Sequence, residues 1–274
     1  QMILLVEDSI RFYSSILPNL YNFLLVQSKS FSKEALNRHS ATMRMRGRPK
    51  VVLARTYEEA ITLYNRYKDN TLGVISDARF PLTPVANPSP KAEDKDPEAG
   101  LKLLRTIRAQ DEYVPLILES AETENRTKAE AEGFRYVDKN SKTMNRDLRR
   151  LMEEHMGFGD FIFRDPKTHE EVARVGTLKE LQDNIFKIPN DSMLYHVSRN
   201  HMSRWLCARA IFPVSAFLKN VTWHKLQDVD AHRQIIFDAI VQYRHMKNIG
   251  VVAVFDRMKF DRYAHFARIG EGSL

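Results

Sequence analysis

Five short apolar segments, separated by stretches with helical periodicity, constrain what the first 156 residues of this chain can fold into. The first segment, residues 2–6, is apolar at every position and is followed by Glu7 and Asp8. A strand that is apolar on both faces is typical of a parallel sheet covered by helices on each side. Further segments of this kind occupy residues 51–54, 72–76, 114–118 and 134–137. The pattern therefore predicts five parallel strands.

Helical periodicity fills the gaps between these segments. An apolar stripe that runs from Ser9 to Leu36, interrupted by Pro18, predicts an unusually long or kinked first helix. Further helices are predicted over residues 58–67, 98–109, 122–132 and 143–155. Five strand–helix units are the number in a flavodoxin-like, doubly wound α/β domain, which we predict for residues 1–156.

Two connecting segments of this domain have unusual compositions. Residues 81–97 contain four prolines among many polar residues, and we predict a mobile surface insertion there. Residues 44–50 carry several basic side chains and are predicted to form a turn that ends the first helix.

The pattern changes after Met156. Segments at 157–163 and 171–175 flank an Asp-Pro-Lys-Thr sequence at 165–168, which predicts a hairpin. Helices are predicted over residues 177–186, 202–218 and 231–246, with a stop at Gly250 and a further strand at 251–255. We therefore predict a second, smaller α+β domain over residues 157–274.

Composition and charge exclude several classes of protein. No segment approaches the roughly 20 consecutive apolar residues of a membrane span, and no secretory signal opens the sequence, so we expect a soluble, cytoplasmic protein without a membrane partner. The single cysteine, Cys207, excludes a disulfide scaffold. The 42 basic and 35 acidic residues give a net charge of +7, which is compatible with an anionic partner without requiring one.

Polar residues follow four of the predicted strands at the edge where open parallel sheets bind ligands. Glu7 and Asp8 follow the first strand, Asp77 the third, Ser120 the fourth and Lys139 the fifth. Three carboxylates at one edge repel one another unless a cation lies between them, and an all-oxygen site suits Mg²⁺. Since Lys139 and Ser120 are able to contact phosphoryl oxygens, the set predicts phosphoryl transfer to Asp77.

These residues stand in motifs that resemble those of the response-regulator receiver family, in the same order and spacing. The motifs are Leu-Leu-Val-Glu-Asp-Ser at 4–9, Ile-Ser-Asp at 75–77, Pro-Leu-Ile-Leu-Glu-Ser-Ala at 115–121 and Gly-Phe-Arg-Tyr-Val-Asp-Lys at 133–139. The resemblance covers about the first half of the chain. Two departures are the insertion at 81–97 and Asn140, which stands where the family usually has a proline.

The resemblance to receivers implies a role for each of these residues. Asp77 is the implied phosphoacceptor, and Mg²⁺ is the implied cofactor, held by Glu7, Asp8, Asp77 and the main-chain carbonyl of Arg79. Ser120 is the implied switch hydroxyl, Tyr136 the switch aromatic and Lys139 the phosphate-binding lysine. A histidine kinase or a small phosphodonor is the implied source of the phosphoryl group.

A second resemblance covers almost the whole chain. Segments at 6–15, 43–50, 159–166 and 195–200 look like the amino-terminal regulatory region of large bacterial proteins of the phosphoenolpyruvate synthase and pyruvate, phosphate dikinase type. It implies that the chain is a piece of a longer phosphotransferase, that residues 270–274 lead into phosphoenolpyruvate-utilising domains, and that this piece is not itself an enzyme. Expected partners are those domains and, through the apolar first helix, a second copy of the chain.

The residues leave two other functions open. A pseudo-receiver scaffold would keep the acidic residues as a polar rim and mediate contacts between domains or proteins without phosphorylation. A DNA-binding response regulator is the third alternative, since Arg-Gly-Arg-Pro at 46–49 is the core of a minor-groove hook. A single copy without a helix-turn-helix disfavours nucleic acid as a partner.

Four residues of the second half, close together in the sequence, carry side chains that bind metals or anions in other proteins. His196 and His201 are five residues apart, which disfavours a metal site on one helix face. Arg199 and Arg204 are able to hold an anion, but structural ion pairing is the interpretation we prefer from the sequence.

Overall fold

The structure, a computed structural model, describes residues 1–35, 37–87, 90–226 and 228–248. The predicted stop at Gly250, the predicted strand at 251–255 and the segment at 270–274 lie outside the described residues.

A five-stranded parallel sheet forms the centre of the first half. Its strands are β1 (Met2–Val6), β2 (Lys50–Ala54), β3 (Thr71–Asp77), β4 (Leu116–Ser120) and β5 (Arg135–Asp138). They lie in the order β2-β1-β3-β4-β5, and each neighbouring pair is parallel. This is the strand order of flavodoxin-like folds, so the predicted fold class is confirmed.

Side chains alternate between two hydrophobic cores on opposite faces of this sheet. The helices that cover it are α1 (Ile10–Lys33), α2 (Arg38–Arg46), α3 (Tyr57–Tyr67), α4 (Ala99–Gln110), α5 (Glu124–Ala131) and α6 (Met144–His155). Ile3 and Leu5 share a core with α1 and α6, while Leu4 and Val6 share one with α3 and α4. Each fully buried aliphatic side chain contributes roughly 1.5–3 kcal/mol, which explains why β1 is apolar at every position.

The first helix and the segment after it differ from the prediction. Pro18 lies inside α1, which continues to Lys33, and a separate helix α2 follows. Asn37 begins α2 because its side chain accepts a hydrogen bond from the main-chain N–H of Ser40 at 2.8 Å. The predicted basic turn at 44–50 is therefore wrong over its first residues. Arg44 is buried and donates to the carbonyl of Phe31 at 2.7 Å.

Both ends of the 81–97 insertion are attached to the sheet domain. The main-chain N–H of Tyr57 donates to Pro81 at 3.0 Å, and that of Asp96 donates to Phe80 at 3.1 Å. A short 3₁₀ turn, Ala92–Asp94, lies between these contacts. Residues 92–98 are thereby held beside the carboxyl edge of the sheet.

The second half has a hydrophobic core of its own. Its elements are β6 (Phe161–Arg164), β7 (Glu171–Val175), α7 (Leu178–Asn184), α8 (Asn190–Ser198), α9 (His201–Ala208), α10 (Phe212–Asn220) and α11 (Val229–Asn248). The strands pair antiparallel as the predicted hairpin, and Phe163, Trp205 and Ile240 are fully buried members of the core. The boundary of two domains near Met156 stays a prediction.

The helices of the second half differ from the prediction at two places. The single helix predicted over 202–218 is wrong, because α9 and α10 are separated at Ala210, whose φ of 56° is left-handed. An L-residue in that conformation cannot continue a right-handed helix. Helix α8 was not predicted, since its apolar residues do not form a clear stripe.

Candidate functional site

Three carboxylates and one lysine meet at the carboxyl edge of the sheet. Glu7 and Asp8 follow β1, Asp77 ends β3 and Lys139 follows β5. One oxygen from each of the three carboxylates lies within 4.8 Å of the others. Glu7 and Asp8 are fully buried, whereas the side chain of Asp77 is 14% exposed. The fold brings the predicted acidic residues together and leaves Asp77 as the most accessible of the three.

Lys139 joins two of these carboxylates. Its Nζ lies 2.7 Å from Oδ1 of Asp77 and 2.5 Å from Oε2 of Glu7, and it also lies 4.6 Å from the centre of the Phe12 ring. Burial lowers the pKa of Lys139, but the carboxylates of Asp77 and Glu7 outweigh burial and leave the pKa above its usual value. Lys139 is therefore charged and fixes the position of Asp77.

The carboxylates of the cluster carry more negative charge than Lys139 alone neutralises. Burial raises the pKa of Glu7 to about 7, and Asp77 adds to the rise while Lys139 opposes it. Burial also raises the pKa of Asp77, against the opposing effects of Lys139 and the main-chain N–H of Ala78. Buried carboxylates in this situation favour protonation or the binding of a further cation.

A lysine from the insertion supplies one such cation. Nζ of Lys95 lies 2.7 Å from Oδ2 of Asp8. Neither oxygen of Asp8 accepts a well-oriented hydrogen bond, although both are inaccessible to solvent. The sequence did not indicate Lys95, because it lies in a segment without periodicity. The next residue, Asp96, pairs with Phe80 through the main chain, and this pairing brings Lys95 to the cluster.

The donor set fits Mg²⁺. The three side chains offer only oxygen ligands, which hard divalent cations prefer, and neither oxygen of Asp8 accepts a well-oriented hydrogen bond, although Lys95 is paired with Oδ2. Glu7, Asp8 and Asp77 are the residues that would hold the ion. The main-chain carbonyl of Arg79 stays a prediction as a further ligand.

A fourth carboxylate, Glu119, lies beside the cluster and was not singled out from the sequence. It is fully buried on β4 in register with Asp77, and neither of its oxygens accepts a hydrogen bond. Burial raises the pKa of Glu119 to about 8. The charges of Glu7 and Asp77 add to this rise, and the charge of Lys139 opposes it. Period-two alternation from Ile117 would have placed Glu119 on the buried face that Glu7 and Asp77 share.

Ser120 and Tyr136 form contacts with the loop after β4. Oγ of Ser120 accepts hydrogen bonds from the main-chain N–H of Glu122 at 3.0 Å and from the side-chain amide of the buried Asn125 at 2.9 Å. The hydroxyl of Tyr136 donates to the carbonyl of Ser120 at 3.1 Å. The two predicted switch residues are therefore joined through the Ser120 main chain, and Asn125 is a partner that the sequence did not reveal.

The loop after Asp77 is packed closely against the start of α4. The main-chain N–H of Gly100 donates to the carbonyl of Ala78 at 3.0 Å. A Cβ at position 100 would collide with the carbonyl oxygen of Asp77, so only glycine permits this approach. The side chain of Arg79 points to the insertion, where it donates to the carbonyl of Ala92 at 3.2 Å.

The predicted ion pairing of Arg199 and Arg204 does not occur within the described residues. Among the residues that the structure describes, neither guanidinium lies within 4.0 Å of a carboxylate. Arg199 instead lies over the rings of Tyr195 and Tyr113. His196 and His201 contact each other, with 3.0 Å between their Nδ1 atoms.

Fold and site together define an α/β domain with a buried acidic cluster and one lysine at the carboxyl edge of a flavodoxin-like sheet. No family model matches the sequence, and no curated protein matches it. Among solved structures, the chain is similar to a response regulator receiver domain protein from Clostridium thermocellum. The two are 18% identical, with a TM-score of 0.36, over 55% of this chain and 90% of that chain.

In the described part of the chain, no helix combines the length and the apolar character needed to cross a membrane.

Proposed function

We propose that residues 1–156 are a phosphoacceptor switch of the two-component type, in which Asp77 receives a phosphoryl group with Mg²⁺ present. One observation carries this proposal: Asp77 is the most accessible carboxylate of a buried acidic cluster and is held by a charged lysine 2.7 Å away. If Lys139 served only to neutralise Asp77, it would not need to contact Asp77 and Glu7 at the same time. A phosphoryl group on Asp77 does require a nearby cation.

The hydrogen bonds of Asp77 distinguish its two oxygens. Both the main-chain N–H of Ala78 and Nζ of Lys139 contact Oδ1, each at 2.7 Å. Oδ2 is therefore the nucleophile that we assign. It forms a bond to phosphorus while the bond from phosphorus to the donor's leaving group breaks, and the leaving group takes that electron pair.

Both the protein and the metal would supply the positive charge that this phosphoryl transfer needs. Lys139 neutralises a phosphoryl oxygen, and its contact with Glu7 keeps it in place before and after transfer. Mg²⁺, when bound, supplies positive charge to the phosphoryl oxygens. We propose a histidine kinase or a small phosphodonor such as acetyl phosphate as the source of the group.

The second half is proposed to transmit the state of Asp77 to a phosphoenolpyruvate-utilising enzyme in the same protein. Phe158 lies edge-on to Phe23 of α1, with ring centroids 5.4 Å apart, and Ala208 belongs to the same core. These contacts connect the second half to the sheet domain. The attached enzyme itself is supported by the sequence resemblance alone, and residues 1–274 are proposed to have no catalytic activity of their own.

A pseudo-receiver scaffold is the second candidate, and one observation favours it. Lys95 already places a cation on Asp8, so the acidic cluster has a protein-supplied partner that does not depend on a metal. In this case the fold would mediate contacts between domains without phosphorylation. A second copy of the chain, docked on exposed α1 residues such as Tyr21 and Val26, stays a prediction in either case.

DNA binding is not supported by the surroundings of the Arg-Gly-Arg-Pro segment. A Cβ at Gly47 would lie 2.8 Å from the Cβ of Ala210 and 2.9 Å from the ring of Phe212, so this glycine packs against the second half. Pro49 is buried as well. We therefore attribute the segment to packing within the chain.

Intact-mass analysis tests the proposal. The 274-residue chain is incubated with acetyl phosphate and Mg²⁺, with and without a chelator. One added phosphoryl group is expected, and it should be absent in Asp77→Asn and with the chelator. Asp183→Asn, which removes an exposed carboxylate of α7, is the matched control and should still be labelled. An unchanged mass over a range of donors and times would favour the scaffold.

A further inference from the structure

A large cavity opens at the edge of the sheet opposite the acidic cluster. Its volume is about 740 Å³. Leu116 and Arg135, which begin β4 and β5, lie in its wall, whereas the acidic cluster lies where the strands end. The remainder of the wall comes from the second half, including Arg164 of β6 and Tyr195 of α8. The cavity is therefore distinct from the proposed phosphorylation site and lies between the two halves of the chain.

Five arginines line this cavity: Arg108, Arg135, Arg164, Arg199 and Arg204. In the described ranges of the chain, none of the five takes part in a salt bridge. Burial lowers the pKa of both Arg108 and Arg204, which shows that the cavity wall carries a desolvation cost. Guanidinium groups stay charged in proteins. Positive charge is thus concentrated here. Asp111 and Glu112 favour the charged form of Arg108, and Asp111 that of Arg204, but in the described ranges neither carboxylate forms a salt bridge with these arginines.

Three of the four acidic residues of the wall have other partners, whereas the fourth, Glu112, lies near Arg108 and opposes the lowering of its pKa. Asp160 pairs with Arg174 at 3.4 Å, and Glu154 pairs with Arg150 at 3.4 Å. Glu153 accepts a hydrogen bond from Gln27 at 3.1 Å. Glu154 also lies 3.7 Å from Nε2 of His155, which is a wall residue, but none of the three carboxylates forms a salt bridge with an arginine of the wall.

The arginines also keep most of their donors. Arg164 uses one N–H for the carbonyl of His169 at 3.0 Å, out of the five that a guanidinium carries. Arg199 is held by its position over the Tyr195 ring, 4.1 Å from the centre, and donates to the Tyr195 carbonyl at 3.2 Å. Stacked guanidinium groups of this kind are oriented before a ligand arrives, which lowers the entropic cost of binding.

Two histidines add an oriented donor. Nε2 of His196 accepts from the main-chain N–H of Arg164 at 3.0 Å, so the ring proton of neutral His196 lies on Nδ1. That proton is donated to Nδ1 of His201 at 3.0 Å, which leaves the ring proton of neutral His201 on Nε2. The pair fixes both tautomers and presents an N–H donor in the cavity wall.

We propose that this cavity binds a small anion that carries at least two phosphoryl groups. Planar guanidinium groups match phosphate oxygens in pairs, and five of them exceed what a single phosphoryl group contacts. The volume lies within the range of about 300–1,000 Å³ for small-molecule sites. Because the wall includes both halves of the chain, the bound anion would hold them in one arrangement. This proposal does not depend on phosphorylation of Asp77.

Titration calorimetry with pyrophosphate tests it on the 274-residue chain, in buffer with a chelator so that the acidic cluster takes no metal. We expect saturable binding of one pyrophosphate, at least tenfold tighter than orthophosphate. Arg135→Gln and Arg164→Gln should each weaken it at least tenfold. Arg126→Gln, on the exposed face of α5, is the matched control and should bind as the wild type does.

Arg135 is exposed, so its replacement should not disturb folding even if that of Arg164 does. Absence of saturable pyrophosphate binding would overturn the proposal. So would equal affinity for orthophosphate, or affinity unchanged in Arg135→Gln and Arg164→Gln. Displacement of pyrophosphate by tripolyphosphate at the same stoichiometry would support it.

Discussion

Lys95, in the insertion, places its Nζ 2.7 Å from Oδ2 of Asp8, at the end of the first strand. The two residues belong to segments that the sequence pattern does not connect. Since Asp8 is one of the three carboxylates that would hold Mg²⁺, the insertion and the metal would compete for the same carboxylate. This contact makes the insertion a candidate regulator of metal binding.

Replacing Lys95 should therefore strengthen Mg²⁺ binding. We expect Lys95→Met to raise the Mg²⁺ affinity about three- to tenfold, because the metal no longer displaces a bound cation from Asp8. Calorimetric titration with Mg²⁺ measures the change. Lys91→Met, which alters an exposed lysine of the same insertion, is the control. Equal affinities in wild type and Lys95→Met would show that the ion pair does not compete.

Lys139 should be required for stability as well as for phosphorylation. Lys139→Met leaves Asp77 and Glu7 buried without their cation, and we expect a loss of about 3–5 kcal/mol in the free energy of unfolding at pH 8. Urea denaturation measures it. Lys128→Met removes an exposed pair with Glu98 and should cost at most about 1 kcal/mol. Similar losses in both variants would contradict a structural role specific to Lys139.

The hydroxyl of Ser120 should respond to phosphorylation. Its oxygen already accepts from Glu122 and Asn125, so its proton is available for a phosphoryl oxygen on Asp77. With beryllofluoride and Mg²⁺ we expect NMR shifts at Tyr136 in wild type that are lost in Ser120→Ala. Ser198→Ala, on α8, is the control. Tyr136 shifts that persist without the Ser120 hydroxyl would exclude it as the connection.

The sequence pattern predicted the site residues that stand at the ends of strands. It did not predict the contacts that depend on how irregular segments and the two halves pack. Glu7, Asp77 and Lys139 meet because parallel strands bring their carboxyl ends to one edge, so their order along the chain is sufficient. Lys95 reaches Asp8 because a main-chain bridge holds the irregular segment that contains it. Hydrophobic periodicity does not predict such a bridge. Four of the five cavity arginines belong to four different elements and Arg199 follows α8, so their proximity arises only when the two halves pack together.

Glu119 should be a net cost to folding. It is buried without a hydrogen-bond partner, and its pKa of about 8 reflects burial above all. Glu119→Met removes this unsatisfied carboxyl group at similar volume, and we expect a gain of about 1–3 kcal/mol in unfolding free energy. Glu130→Met, at an exposed position of α5, is the control and should change little. A loss of stability in Glu119→Met would mean that the carboxyl group makes a favourable interaction in the folded protein.

The histidine pair should make the second half sensitive to acid. Burial lowers the pKa of His196 to about 4 and that of His201 to about 3, and Arg164, Arg199, Arg204 and His155 add to one or both shifts. The unfolded chain, with histidine pKa values near 6.5, binds more protons than the folded chain over this interval. Stability from the neutral pair is therefore complete above about pH 6.5 and is lost as the pH falls towards 4.

Urea denaturation followed by tryptophan fluorescence measures this dependence. Both tryptophans of the chain, Trp205 and Trp223, lie in the second half, so the signal reports on that region. We expect the unfolding midpoint to fall steadily between pH 6.5 and 4 in wild type, and less steeply in His201→Gln, which does not titrate in this range. His224→Gln, at an exposed position, is the matched control and should keep the wild-type slope. A slope that is the same in His201→Gln as in wild type would assign the acid sensitivity to other groups.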